Sequence, residues 1–86
     1  NGYHGDTFGA MAVCDPVNGM HGMFRSVLAQ HIFVDAPDCR EDELWQASSI
    51  ASLEAALRKH HQHLAAVIIE PIVQGAGGMR IYCAEY

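Results

Sequence analysis

The feature that most constrains this chain is a continuous apolar run, Leu64-Ala-Ala-Val-Ile-Ile-Glu70, stopped by Pro71. Strict alternation of apolar and polar residues is missing. A strand of this kind is covered on both faces, as in a parallel sheet. A second, shorter run, His31-Ile-Phe-Val-Asp-Ala-Pro37, is likewise closed by a proline. Between them, Ile50, Leu53, Leu57 and Leu64 recur at spacings of three, four and seven, which predicts a helix over about residues 49–63 with one apolar stripe. Ser48 or Ser49 can cap its start, and Glu54 and Arg58 form an i,i+4 pair in the favourable order. Strand, helix and strand make a βαβ unit, and such crossovers are right-handed. The fold class expected is α/β.

Upstream, Gly5-Asp6 opens a short predicted helix over Thr7–Val13, and residues 15–24 form a loop rich in turn formers. In open α/β sheets ligands bind beyond the carboxyl ends of the strands. Here that edge carries Glu70 to Gly78, together with the turn Asn1-Gly-Tyr-His-Gly5. The chain opens inside this Gly-rich turn and closes at Tyr86 without a capping sequence, so both ends read as cut from something longer.

Composition excludes several function classes. Ten acidic residues stand against five basic ones among 86, a formal charge of −5. Nucleic-acid binders concentrate Lys and Arg on one face, so no nucleic acid is expected as a partner. No apolar run approaches the roughly 20 residues of a membrane helix, and no membrane partner is expected. Cys14, Cys39 and Cys83 are three and widely spaced. Disulfide frameworks prefer even counts and zinc sites prefer paired spacing, so reduced thiols in a cytoplasmic protein are expected.

Candidate functional residues each have a plainer alternative. Gly75-Ala-Gly-Gly78 could cradle a phosphate, but Arg80 stands where the dinucleotide pattern needs its third glycine. The plainer role is positive φ in a turn. Glu70, at the mouth of the buried run, is either a strand-end carboxylate reaching water or a charge set beside a ligand. His60, His61 and His63 suit the negative end of a helix and lack metal-ligand spacing to Asp or Cys, so no metal is expected. Lys59 is the only lysine and lies among Arg58 and those histidines, as a solvated charge rather than a nucleophile. Tyr3 and His4 lie between Gly2 and Gly5. That turn either packs an aromatic ring or presents it to a flat ligand.

Two stretches together, Gly2-Tyr-His-Gly-Asp-Thr-Phe-Gly-Ala-Met11 and Ala66-Val-Ile-Ile-Glu-Pro-Ile-Val-Gln-Gly-Ala-Gly-Gly-Met79, resemble the class III aminotransferases. These are fold-type I enzymes dependent on pyridoxal 5′-phosphate. The segment Cys14 to His21, with Phe24, is similar to the branch that moves an amino group from S-adenosylmethionine to 8-amino-7-oxononanoate in biotin synthesis. The resemblance covers essentially the whole chain. It implies that residues 1–86 are part of the cofactor-binding large domain of a cytoplasmic homodimer.

It further implies cofactor contacts from Tyr3, His4 and Gly5, with the Tyr3 ring packed on the pyridine ring. Substrate contacts are implied for Tyr3, Asp6, Asn18, Gly19, Met20 and Glu70. The lysine that bonds the cofactor, the aspartate on the pyridine nitrogen, the main phosphate-binding turn and the substrate-carboxylate arginine would lie outside these 86 residues. On that footing no residue of the chain is itself catalytic, and the chain alone is inactive. Two alternatives remain: another class III transaminase, acting on ornithine, 4-aminobutyrate or an ω-amino acid, or a non-catalytic binding module.

Overall fold

The computed structural model describes all residues, Asn1–Tyr86. The chain divides into two compact units, Asn1–Phe33 with Gln74–Met79, and Val34–Val73 with Arg80–Tyr86.

In the first unit, α1 spans Phe8–Ala12. Thr7 is its N-cap, in extended backbone, and its hydroxyl accepts from the Ala10 amide at 3.3 Å. That bond satisfies one of the amides a helix start leaves open. Helix α2 follows at His21–Phe24, inside the segment read from sequence as loop. Met11 and Ala12 of α1 pack with Leu28, and Phe24 of α2 closes over them. Residues 75–79 complete this unit as a turn in which the Gly75 carbonyl accepts from Gly78 and Met79 amides at 3.1 and 2.8 Å. Gly78 has φ of +111°, as expected of a glycine supplying positive φ.

In the second unit a 3-10 turn, Ala47–Ile50, leads into α3, Ala51–His60, and a second 3-10 turn, His61–His63, ends it. The apolar stripe is real: Ile50, Leu53, Leu57 and Leu64 are all shielded while Glu54, Arg58 and Lys59 face water. Arg58 and Glu54 approach to 3.6 Å, an exposed pair of small energetic weight. Ser48 and Ser49 do not cap α3. They lie within the 3-10 turn, and the helix start at Ile50 has no side-chain cap. Ser52 instead accepts from the Asp35 amide at 3.1 Å.

The expected βαβ unit does not form within this chain. The one sheet has two strands, β1 (Val73–Gln74) and β2 (Arg80–Ile81). Residues 31–37 and 64–70 carry no ladder. Val67, Ile68 and Ile69 are 58, 72 and 52% exposed, so the run expected to be buried on both faces is covered on neither. A strand interior needs hydrogen-bonding neighbours on both edges and apolar layers on both faces, and neither run finds them here.

The cysteines also depart from expectation. Cys39 and Cys83 form a disulfide across 44 residues, with Cα atoms 5.7 Å apart, and only Cys14 is free. An antiparallel bridge between Arg40 and Tyr82, with the Cys83 amide donating to the Cys39 carbonyl, aligns the two segments. This long-range pairing lies beyond what cysteine spacing can reveal. Tyr82 packs with both cysteines and edge-on against Tyr86, making the small core of this unit. No helix is long and apolar enough to cross a membrane.

Candidate functional site

The first unit contains a cavity of about 220 Å³ lined by the turn at Gly2, Tyr3 and Gly5, by Cys14 and Asp15, and by Asn18, Gly19 and Met20. Asn1, Met11 and Ala76 complete its wall.

The Tyr3 side of the cavity is shaped by glycine. Gly5 holds φ of +120°, a region that L side chains rarely enter. This lets the chain reverse between Tyr3 and the Thr7 cap. The amide of His4 donates to the Cys14 sulfur at 3.2 Å, which ties the turn to the end of α1. Tyr3 itself is 60% exposed. Its hydroxyl donates to the Asp6 carboxylate, and that hydrogen bond and charge hold the phenol above its ordinary range.

The opposite wall is an Asp-Pro-Val-Asn-Gly turn. Asp15 Oδ1 accepts from the Val17 and Asn18 amides at 2.8 and 3.0 Å, and Oδ2 accepts from Asn18 Nδ2 at 3.3 Å. The two amides, Asn18 foremost, hold the carboxyl below the usual carboxylate range. The Gly19 amide then donates to the Asp15 carbonyl at 3.0 Å.

Of the residues singled out from sequence, Tyr3, Gly5, Asn18, Gly19 and Met20 come together around this cavity. His4 and Asp6 belong to the same turn without lining it. Glu70 belongs to the second unit, where its carbonyl accepts the Tyr82 hydroxyl and Tyr82 also donates its amide to the Ile72 carbonyl at 3.1 Å. Asn1, Gly2, Met11, Cys14, Asp15 and Ala76 also line it and are not among the sequence candidates, Cys14 and Asp15 being the two with a titratable side chain. The signal for Asp15 was present, because Asp followed by Pro and Asn-Gly favours a side-chain-capped turn. No comparable signal marks Cys14.

An exposed aromatic face beside a cavity, with glycine on either side, fits one face of a flat heteroaromatic ring. The arrangement can stack such a ring and direct one hydroxyl over its edge.

The family model described as aminotransferase class-III matches residues 1–86. A protein of Buchnera aphidicola subsp. Baizongia pistaciae is 49% identical over 84 residues, covering 98% of this chain and 20% of the relative. One from Saccharomyces cerevisiae is 42% identical, covering 100% of this chain and 20% of the relative. One from Corynebacterium glutamicum is 48% identical, with 95% and 19% covered. All three are named adenosylmethionine-8-amino-7-oxononanoate aminotransferase. The chain thus spans about a fifth of the length of these relatives. The chain belongs to the class III aminotransferases.

Proposed function

We propose that residues 1–86 form one wall of the cofactor and substrate site in the large domain of an aminotransferase, which moves an amino group from S-adenosylmethionine to 8-amino-7-oxononanoate. The observation that carries this is the convergence of Tyr3, Asn18, Gly19 and Met20 on one cavity, in a chain whose relatives share the name of that activity.

Pyridoxal 5′-phosphate, when bound, supplies a carbonyl and an electron-accepting ring that let an amino group pass from donor to acceptor. Tyr3 offers its ring as a platform for that flat group, with His4 and Gly5 shaping the turn around it. The Tyr3 hydroxyl, held by Asp6, stays protonated and orients what lies above the ring. Asn18, Gly19 and Met20 bound the substrate side. Glu70 is the carboxylate this reading assigns to the substrate, and the apolar run before it is covered by the neighbouring strands of a fold-type I sheet. The same completion turns residues 31–37 and 64–70 into strands. Lys59, exposed on α3, takes no covalent part. A homodimer and a cytoplasmic setting belong to the same reading, although the Cys39–Cys83 pair removes the thiol argument for the latter.

The test is Tyr3→Phe and Tyr3→Ala in the whole enzyme. Tyr3→Phe keeps the platform, so cofactor absorbance stays while kcat falls by roughly tens- to hundreds-fold, the usual effect of losing one hydrogen bond to a reacting group. Tyr3→Ala also weakens cofactor retention. A Tyr3→Phe enzyme equal to its parent for both donor and acceptor overturns this role.

A further inference from the structure

The two walls of the cavity are separate in sequence, and one residue is bonded to both. The Asp15 amide donates to the Gly2 carbonyl at 2.9 Å, next to Tyr3. Its carbonyl accepts from Gly19 at 3.0 Å. Its carboxylate takes the Val17 and Asn18 amides and the Asn18 side chain. Pro16 contributes no amide, so the first two donors after Asp15 are the ones its Oδ1 collects. Val17, Asn18 and Gly19 are therefore all referenced to Asp15, and through Asp15 to the Tyr3 turn.

Gly19 shows how tight this arrangement is: a Cβ there would stand 2.3 Å from the Asp15 carbonyl oxygen. Contacts that close do not occur between real atoms. The loop returns onto the Asp15 backbone because residue 19 has no side chain.

We infer that Asp15 is a positioning residue for substrate affinity. It lines the cavity but turns its carboxylate onto its own loop, and it acts on the substrate through Asn18, Gly19 and Met20. This rests on the function proposed above. A residue of this kind sets where the wall stands rather than how the reacting atoms are activated. It therefore governs KM more than kcat.

The experiment compares Asp15→Ala and Asp15→Asn in the whole enzyme. Asp15→Ala removes the carboxylate that takes the Val17 and Asn18 amides and the Asn18 side chain. It should raise KM for donor or acceptor by roughly tenfold or more, as expected for losing charge-assisted bonds. In the same variant kcat should stay within about threefold and cofactor absorbance should be unchanged, since KM alone reports binding common to ground and transition states. Asp15→Asn keeps an oxygen for the Val17 and Asn18 amides and should restore KM to within about threefold of the parent. Amide exchange at Val17, Asn18 and Gly19 reads the same device without turnover. It should be fast in Asp15→Ala and slow in the parent and in Asp15→Asn.

An unchanged KM in Asp15→Ala overturns the inference. So does a fall in kcat at constant KM, a loss of cofactor absorbance, or an Asp15→Asn enzyme as impaired as Asp15→Ala. A parent that moves no amino group between these two substrates strikes the proposed function instead. In that case the exchange rates still decide whether Asp15 holds the wall.

Discussion

Hydrogen bonding and negative charge from the Asp6 carboxylate hold the Tyr3 phenol above its ordinary pKa of 10.0. Hydrogen bonding to the neutral phenol and repulsion of the phenolate act in the same direction. Because the folded pKa is raised, the associated stability is fully present below pH 10.0 and is lost as pH rises through the folded value. Tyrosinate absorbance should therefore show a Tyr3 transition above the usual phenol range. Asp6→Asn should move that transition down. The Tyr3→Phe variant identifies it, since Tyr86 is also raised, chiefly by burial. No change on Asp6→Asn would mean the two groups are uncoupled.

Reducing Cys39–Cys83 should destabilise the protein. The bridge closes a loop of 44 residues, and a loop-closure estimate for that length is about 4 kcal/mol. Denaturant midpoints with and without reductant measure it, and Cys39→Ser should reproduce the reduced value. A midpoint indifferent to reductant would show that the two thiols are not joined in solution.

Ile72→Gly should stabilise the second unit. Ile72 has φ of +65°, between Pro71 and Val73, whose carbonyl and amide bond across it at 2.7 Å. A β-branched residue pays about 1–2 kcal/mol in left-handed backbone. Its side chain is exposed, so little packing is lost on removal. Glycine relieves the strain and returns part of the gain as unfolded-state entropy. The denaturant midpoint should rise, and a clear fall would mean that Ile72 packs against something in solution.

Gly19→Ala should open the Asp15 turn. The added carbon would stand 2.3 Å from a backbone oxygen, which cannot rotate aside. Overpacking of this kind costs about 1–3 kcal/mol. Since Gly19 is exposed, the effect should appear as faster exchange at Val17 and Asn18 before it appears in global stability. Parent-like exchange rates at both amides would refute the close approach.

What could be read from the sequence depended on the range of the interaction concerned. Ile50, Leu53 and Leu57 repeat at helical spacing, and the helix they define is present with those residues shielded. The short helix expected over Thr7–Val13 is also present, as α1 over Phe8–Ala12, with Thr7 as its cap rather than its first residue. Both signals are complete within one or two turns of chain. Leu64–Ile69 was different, because continuous apolarity states what a segment requires, not what surrounds it. The sequence of Val67, Ile68 and Ile69 demands two covered faces, while the chain leaves them exposed. Cys39 and Cys83 failed for a related reason, since the Arg40–Tyr82 bridge that aligns them joins distant positions. At the site, the motif around Tyr3 and the turn formers around Asn18 were each legible. That Asp15 bonds to Gly2 was not.

Gly77 approaches Asn1 so closely that a Cβ on it would lie 2.6 Å from the Asn1 carbonyl oxygen. These residues stand almost at opposite ends of the chain, and Ala76 lines the cavity beside Tyr3. On a ribosome the Tyr3 turn emerges before Ala76, and its wall stays unfinished while all of residues 34–73 are made. Closing a contact of that span is entropically slow and comes late in folding. A stall anywhere in residues 34–73 would therefore release a product that lacks Ala76 and cannot complete the cavity wall.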